Sequence, residues 1–254
     1  MTKSAKKTEV TSIIGQIVTA RSVSDAWEVV YQSLPQYGLT QIFYSGTCLP
    51  TQGYAGSVDE TIVLMHGPPD YTEIVLGEKL YLHGVMFSWA AKNRGFVSFP
   101  DAIRSHGQAL TPKLMRLWEI NAKFGFISGY MGGLNAIVPG MRGVIGLGAP
   151  AGFDQLSLDG VWQRHGKTIE MICNTFHLRL ASLPQTGLLR PLTSRQLEVL
   201  KWCADGKITQ DIADIMGISI ATVEKHMRMA RDALEAQTTA HAIRKATSLN
   251  LLTA

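Results

Sequence analysis

Apolar and polar positions alternate with two different periods along this chain, and the change of period divides it. Over residues 193–250 the period is helical. Leu197, Leu200 and Cys203 recur on one face. Thr193 stands where it can N-cap that helix with Gln196 as its reciprocal partner, and Gly206 stands where a left-handed cap ends it. Thr209 is placed to cap a short helix over 210–216, Gly217 to close it, and Ser219 to cap the next. In that third helix Val223, Met227, Ala230 and Leu234 form a stripe at i, i+4, i+7 and i+11. A last helix over 240–249 carries Ile243, Ala246 and Leu249 at helical spacing. Small Ala213, then Gly217, then branched Val223 fit two helices crossing closely about a tight turn, the spacing of a helix-turn-helix.

The first 182 residues mix both periods. Ile13, Ile14, Ile17 and Val18 predict a first helix, preceded by a basic, frayed tail. Ala26, Trp27, Val30, Tyr31 and Leu34 predict a second, capped by Ser24 and stopped by Pro35. Strands are expected over 40–48, 61–66, 127–136 and 143–148, the last two about a Pro139-Gly140 turn. Helices are expected over 70–80, 82–93 and 112–123, and a long one over 154–183. The sum is an α/β domain, an antiparallel sheet sandwiched by helices in a PAS-like arrangement, followed by an all-α domain of four helices. The domains expected are 1–182 and 193–254. Between them SLPQTGLLRPL, with two prolines and a glycine, reads as a linker over 183–192.

Composition narrows the classes. With 254 residues and 46% apolar content the chain can bury a full core, and 17% charge is too little for disorder. No apolar run reaches membrane-spanning length, and the N-terminus lacks a signal-peptide pattern. Cys48, Cys173 and Cys203 are odd in number and widely spaced, so neither a disulfide framework nor a metal set is expected, and the reducing cytoplasm is the simplest location. Gly146-Leu147-Gly148 lacks the third glycine of a phosphate loop and runs into Pro150. No local constellation of Ser, His, Asp or Cys supplies an enzyme's chemistry. A phosphorylated receiver needs an early acidic cluster, and the chain opens with two helices instead.

Partner chemistry enters through the third helix of the second domain. At about 100° per residue, Lys225 and Arg228 project opposite the apolar stripe. Together with Arg231 they read either as a solvated face or as DNA contacts, and the surrounding turn pattern favours double-stranded DNA. Residues 190–254 hold nine Lys or Arg against seven Asp or Glu, a surplus of two. Such a weakly basic domain needs a homodimer for useful affinity. Thr222 lies beside the two basic residues, while Lys207, Thr209 and Ser219 sit near helix N-termini, where backbone N–H groups favour phosphate.

The stretch LTSRQLEVLKWCADGKITQDIADIMGISIATVEKHM resembles the DNA-binding domain of LuxR-type regulators. The matching features are Glu198, Leu200, Gly206-Lys207, Ile212-Ala213, Gly217-Ile218-Ser219, and Thr222-Val223 followed by His226. The resemblance implies a third helix that reads the major groove and a fourth that pairs with its twin on an inverted repeat. It departs after His226, where Met229, Ala230, Ala233 and Leu234 hold the places of the family's Asn, Ile, Lys and Leu.

The first domain is similar, more weakly, to the acyl-homoserine-lactone-binding domain of LuxR-type quorum-sensing regulators, in its order of elements and in FGFISGY before two strands. That resemblance puts Tyr71 where the family has a tryptophan that bonds the lactone carbonyl. It puts Gly129 on the pocket glycine and Phe99 or Ser98 near a second tryptophan position. The family's aspartate, which accepts the ligand amide N–H, falls on Gly84, and the family tyrosine four residues after the tryptophan falls on Val75. Losing that acceptor costs about 1–3 kcal/mol, or roughly 5- to 150-fold in affinity. His83 reads either as a neutral imidazole acceptor in the aspartate's stead or as a surface or capping histidine. The expected occupant is an acyl-homoserine lactone or a divergent ligand, with no cofactor. A cavity of several hundred Å³ would mark a sensor, and a filled core a ligand-independent dimerisation module.

Overall fold

The computed structural model describes residues 3–47, 61–106, 111–134, 137–138, 141–184 and 191–252. The chain divides into two compact units at Ala181 and Ser182.

In the first unit a five-stranded antiparallel sheet runs in the order β2-β1-β5-β4-β3. Its strands are β1 (Gln41–Thr47), β2 (Thr61–His66), β3 (Gly95–Ser98), β4 (Gly129–Gly133) and β5 (Arg142–Gly148). Register pairs Tyr44 with Leu64 on one side and with Ile145 on the other. Since side chains alternate across a strand, Ile42 and Tyr44 face one layer and Gln41 and Phe43 the other. The first layer is α1 (Lys3–Thr19), α2 (Val23–Ser33) and the long α7 (Gln155–Ser182). Trp27 of α2 and Tyr44 of β1 both pack on Phe176 of α7, at 5.7 and 5.1 Å between ring centres. Arg179 of α7 donates from Nε and Nη2 to the Ala20 carbonyl between α1 and α2, at 3.0 and 2.6 Å. The opposite layer is α3 (Pro69–Gly77), α4 (Val85–Lys92), α5 (Phe99–His106) and α6 (Pro112–Phe124), which close a core around Tyr71, Phe99, Leu117 and Phe126.

Several local expectations are corrected. The basic tail is not frayed, since α1 begins at Lys3. Ser22, not Ser24, caps α2, accepting the Asp25 N–H at 3.0 Å. The helix expected over 70–80 stops at Gly77, Lys79 turns through a left-handed conformation (φ 52°), and Leu80–His83 form a 3-10 turn before α4. Neither β3 nor α5 is foreseen by periodicity. Four residues are too short to show alternation, and Pro100, which reads as a breaker, sits in the first turn of α5, where its missing N–H is harmless. Ser98 accepts the Asp101 N–H there at 3.3 Å, as a cap does. Cys48, the Pro139-Gly140 turn and most of the expected linker lie outside the described residues.

The second unit is all helix: α8 (Ser194–Ala204), α9 (Thr209–Met216), α10 (Ile220–Ala233) and α11 (Thr239–Ser248). The reciprocal Thr193–Gln196 capping box opens α8, and Gly206 follows it with φ 81°. Thr209 is not a cap but the first residue of α9; the Ile208 N–H before it is taken by Asp211 Oδ2 at 3.3 Å. Gly217 ends α9 at φ 65°, a conformation costly for any residue with a β-carbon. Val199, Leu200, Ile212, Ala213, Val223, Met227, Ala230 and Leu234 form one core with Ala242, Ala246 and Leu249 of and just after α11. Among the described residues no helix is long and apolar enough to cross a membrane.

Candidate DNA-reading helix and ligand cavity

The apolar period of α10 fixes what its other face offers. Val223, Met227 and Ala230 are buried, which leaves Lys225 and Arg228 exposed on the opposite side. Ser219 sets where the helix begins: its hydroxyl accepts the Thr222 N–H at 3.2 Å and lies 2.8 Å from Thr222 Oγ1. Thr209 is exposed at the start of α9, and Lys207 is exposed just before it, its N–H bonded to the Trp202 carbonyl at 3.0 Å. Arg231 differs from the rest. Half-buried, it donates from Nη1 to Thr239 Oγ1 at 3.4 Å, which joins α10 to α11.

In the first unit an apolar cavity of about 60 Å³ lies between the sheet and the α3–α6 layer. Tyr71, Val75, Phe99, Phe126, Met131 and Val144 supply its apolar walls. An adjoining cleft of about 300 Å³ shares Gly84, Phe99, Leu117, Asn121 and Phe126 with it and adds Ile103, Trp118 and Ile127. Tyr71 is stacked on Phe126 at 5.4 Å and meets Phe124 edge-on at 5.6 Å. Its hydroxyl donates to Asn121 Oδ1 at 3.0 Å. Burial pushes the Tyr71 phenol well above its ordinary range, so it remains a donor at any physiological pH.

The residues expected in this site separate. Tyr71 and Phe99 line the cavity. Gly129 does not, but a β-carbon there would come within 2.4 Å of the Leu147 carbonyl oxygen and of the Phe99 ring, so its bareness sets where Phe99 stands. His83 sits half-buried on the 3-10 turn and is absent from the lining, while its neighbour Gly84 belongs to it. His83, read either as a substitute acceptor or as a surface or capping histidine, thus stands next to the lining in sequence and is not one of the lining residues. Among the described residues no carboxylate lines the cavity; Glu73 is exposed, and Glu78 pairs with Arg116 at 3.5 Å.

Two lining residues escape a reading of the sequence by resemblance. Gln41 is 5% exposed and its Oε1 is buried with no hydrogen-bond partner. Asn121 is 6% exposed. Both could be found from period alone. Asn121 follows Leu114 and Leu117 on the buried stripe of α6, and Gln41 shares its sheet face with Phe43. A polar residue on an apolar stripe is the signal.

Sequence models of known families fit both units. The autoinducer binding domain matches residues 22–180, and the model described as bacterial regulatory proteins, luxR family, matches residues 190–246. The chain belongs to the LuxR-type regulators that join an autoinducer-binding domain to a helix-turn-helix DNA-binding domain. The two domains imply DNA and a small molecule as the partners of this class. Solved structures share the fold at low identity. SdiA in complex with octanoyl-rac-glycerol is 14% identical over 99% of this chain and 98% of its own, with a TM-score of 0.54. Escherichia coli SdiA in another crystal is 14% identical over 96% and 98%, with a TM-score of 0.50. CepR2 from Burkholderia cenocepacia, described as an N-acylhomoserine lactone dependent LuxR family transcription factor, is 14% identical over 68% of this chain and 97% of its own, with a TM-score of 0.51. No protein of curated function matches the sequence.

Proposed function

We propose that the protein binds an inverted-repeat operator as a homodimer, with α10 in the major groove. Residues 193–254 act as the DNA-binding domain, 183–192 as linker, and 1–182 as the sensing and dimerisation domain. The observation that carries this reading is the opposition on α10 of a fully buried stripe to exposed Lys225 and Arg228. Those two residues and Thr222 contact bases or phosphates. Lys207, Thr209 and Ser219 contact phosphates, and Arg231 supports the helix from within the domain. The work is done in the cytoplasm and without catalysis. The first domain takes a mostly apolar ligand other than a standard acyl-homoserine lactone, because Gly84 stands where the amide-reading carboxylate would be.

A second reading is favoured by one dimension. At about 60 Å³ the inner cavity holds only a water or two, so side chains already fill most of the site. On this reading the domain is a ligand-independent dimerisation module. Selection of binding sites from a randomised duplex pool, with purified protein grown without lactone, tests both. Enrichment of a palindrome supports the regulator and its independence of lactone. Enrichment only after adding a ligand supports the sensor. Absence of enrichment under every condition would contradict the operator-binding reading.

A further inference from the structure

Five described lining side chains carry a polar atom: Gln41, His66, Tyr71, Tyr81 and Asn121. Tyr71 spends its hydroxyl proton on Asn121 Oδ1. That bond occupies Asn121 Oδ1 and leaves Nδ2 as the donor end of the amide. Gln41, entering from the end of β1, has its Oε1 wholly buried and unpaired although the residue lines the same cavity. A buried carbonyl of this kind is costly to leave unsatisfied, and native structures rarely keep one without a use. Its surroundings explain why no described residue satisfies it. The side chain passes 3.9 Å from the point where a β-carbon on Gly67 would stand, so the nearest turn offers it only glycine, and the walls beyond are Val75, Phe99, Phe126 and Met131.

We propose that the carboxamides of Gln41 and Asn121 are the polar anchors of the ligand site, Gln41 Oε1 accepting a hydrogen bond from the ligand head and Asn121 Nδ2 donating one to it. The proposal rests on the reading that this cavity takes a ligand. It narrows the class to uncharged amphiphiles: an apolar chain ending in a head that carries at least one N–H or O–H donor beside a carbonyl or hydroxyl acceptor. A carboxylate head is disfavoured. It offers Gln41 Oε1 no proton, and among the described residues no Lys or Arg lines the cavity to offset its desolvation.

Two probes of equal chain length isolate the Gln41 bond. Octanamide carries N–H donors; N,N-dimethyloctanamide does not. Titration into the full-length protein, by calorimetry or by quenching of tryptophan fluorescence, is expected to favour octanamide by about 5- to 150-fold. In Gln41→Met that preference falls to within about two-fold, while the melting temperature of the ligand-free protein holds or rises, because an unpaired carbonyl has been removed. A merely structural glutamine would instead lower the melting temperature and leave the preference intact. Equal binding of the two amides by the wild type overturns the anchor proposal and leaves the ligand-binding reading standing. Binding of neither amide, together with no binding of methyl octanoate or 1-octanoylglycerol, overturns both. The wild-type comparison decides the question even if Gln41→Met does not fold.

Discussion

The two units spend their polar residues in opposite ways. In the helical unit the core is apolar and closes on itself, and the residues with chemistry, Lys225 and Arg228, stand outside it. In the sheet unit the exposed surface says little, and the informative residues, Gln41, Tyr71 and Asn121, are buried in a nearly full cavity. The difference follows from the partner. DNA is a polyanion met at the surface, where charge needs no desolvation. A small apolar molecule is recognised by removing it from water, and each buried polar group must then find a mate. Function on the first unit is thus bound up with stability, and on the second it is separable from it.

That contrast can be pressed hardest at Phe99. The ring is 2% exposed, packs on Phe126 at 5.5 Å and forms part of the cavity wall. Phe99→Ala should cost about 3–5 kcal/mol and enlarge the cavity. Hydrogen exchange resolved by peptide should show the loss over residues of the sheet unit and leave α8–α11 protected. Equal loss in both units would mean that their stabilities are not independent.

A somewhat smaller effect is expected from acid. His177 of α7 is fully buried, its Nδ1 2.9 Å from the Tyr44 hydroxyl and its Nε2 without a partner, and burial lowers its pKa from 6.5 to about 4. Above pH 6.5 neither the folded nor the unfolded chain holds the proton, and the contribution is fully present. As the pH falls from there toward 4, the unfolded chain takes up a proton that the folded one refuses, so stability declines, by up to about 3 kcal/mol. Denaturation midpoints measured between pH 4 and 7 should show this slope in the wild type and lose most of it in His177→Phe. An unchanged slope would assign it to other groups.

The smallest effect belongs to the helical unit. Thr193→Ala removes one half of the capping box on α8 and should cost about 1 kcal/mol. Chemical denaturation followed through Trp202, on the same helix, reads it directly. No measurable change would mean that solvent replaces the cap at no cost.

What was legible in the sequence divides along the same line. The helical unit was readable almost residue by residue, because period, caps and the turn glycines all agreed. The slips there were at Thr209, where the acidic Asp211 side chain serves the terminus instead, at Leu197, whose expected place in the core is taken by Val199, and at Arg231, which is half-buried against Thr239. In the sheet unit the order of elements could be read, but β3 and α5 were hidden by brevity and by Pro100. The cavity's polar set was missed because resemblance directs attention to the family's own positions, and at one of those stands Gly84. His83 attracted notice through its adjacency to Gly84, and it is not among the lining residues. Gln41 and Asn121 are 80 residues apart, and only the folded sheet and α6 bring both to one cavity.

The central claim, that the exposed face of α10 reads DNA independently of what holds the helix in place, is most directly tested with Arg228→Ala on the selected duplex at fixed salt. The account predicts a loss of about 1–3 kcal/mol in specific binding, with an unchanged melting temperature and weaker discrimination at one base position. Wild-type affinity in that variant, and again with Lys225→Ala added, would contradict it.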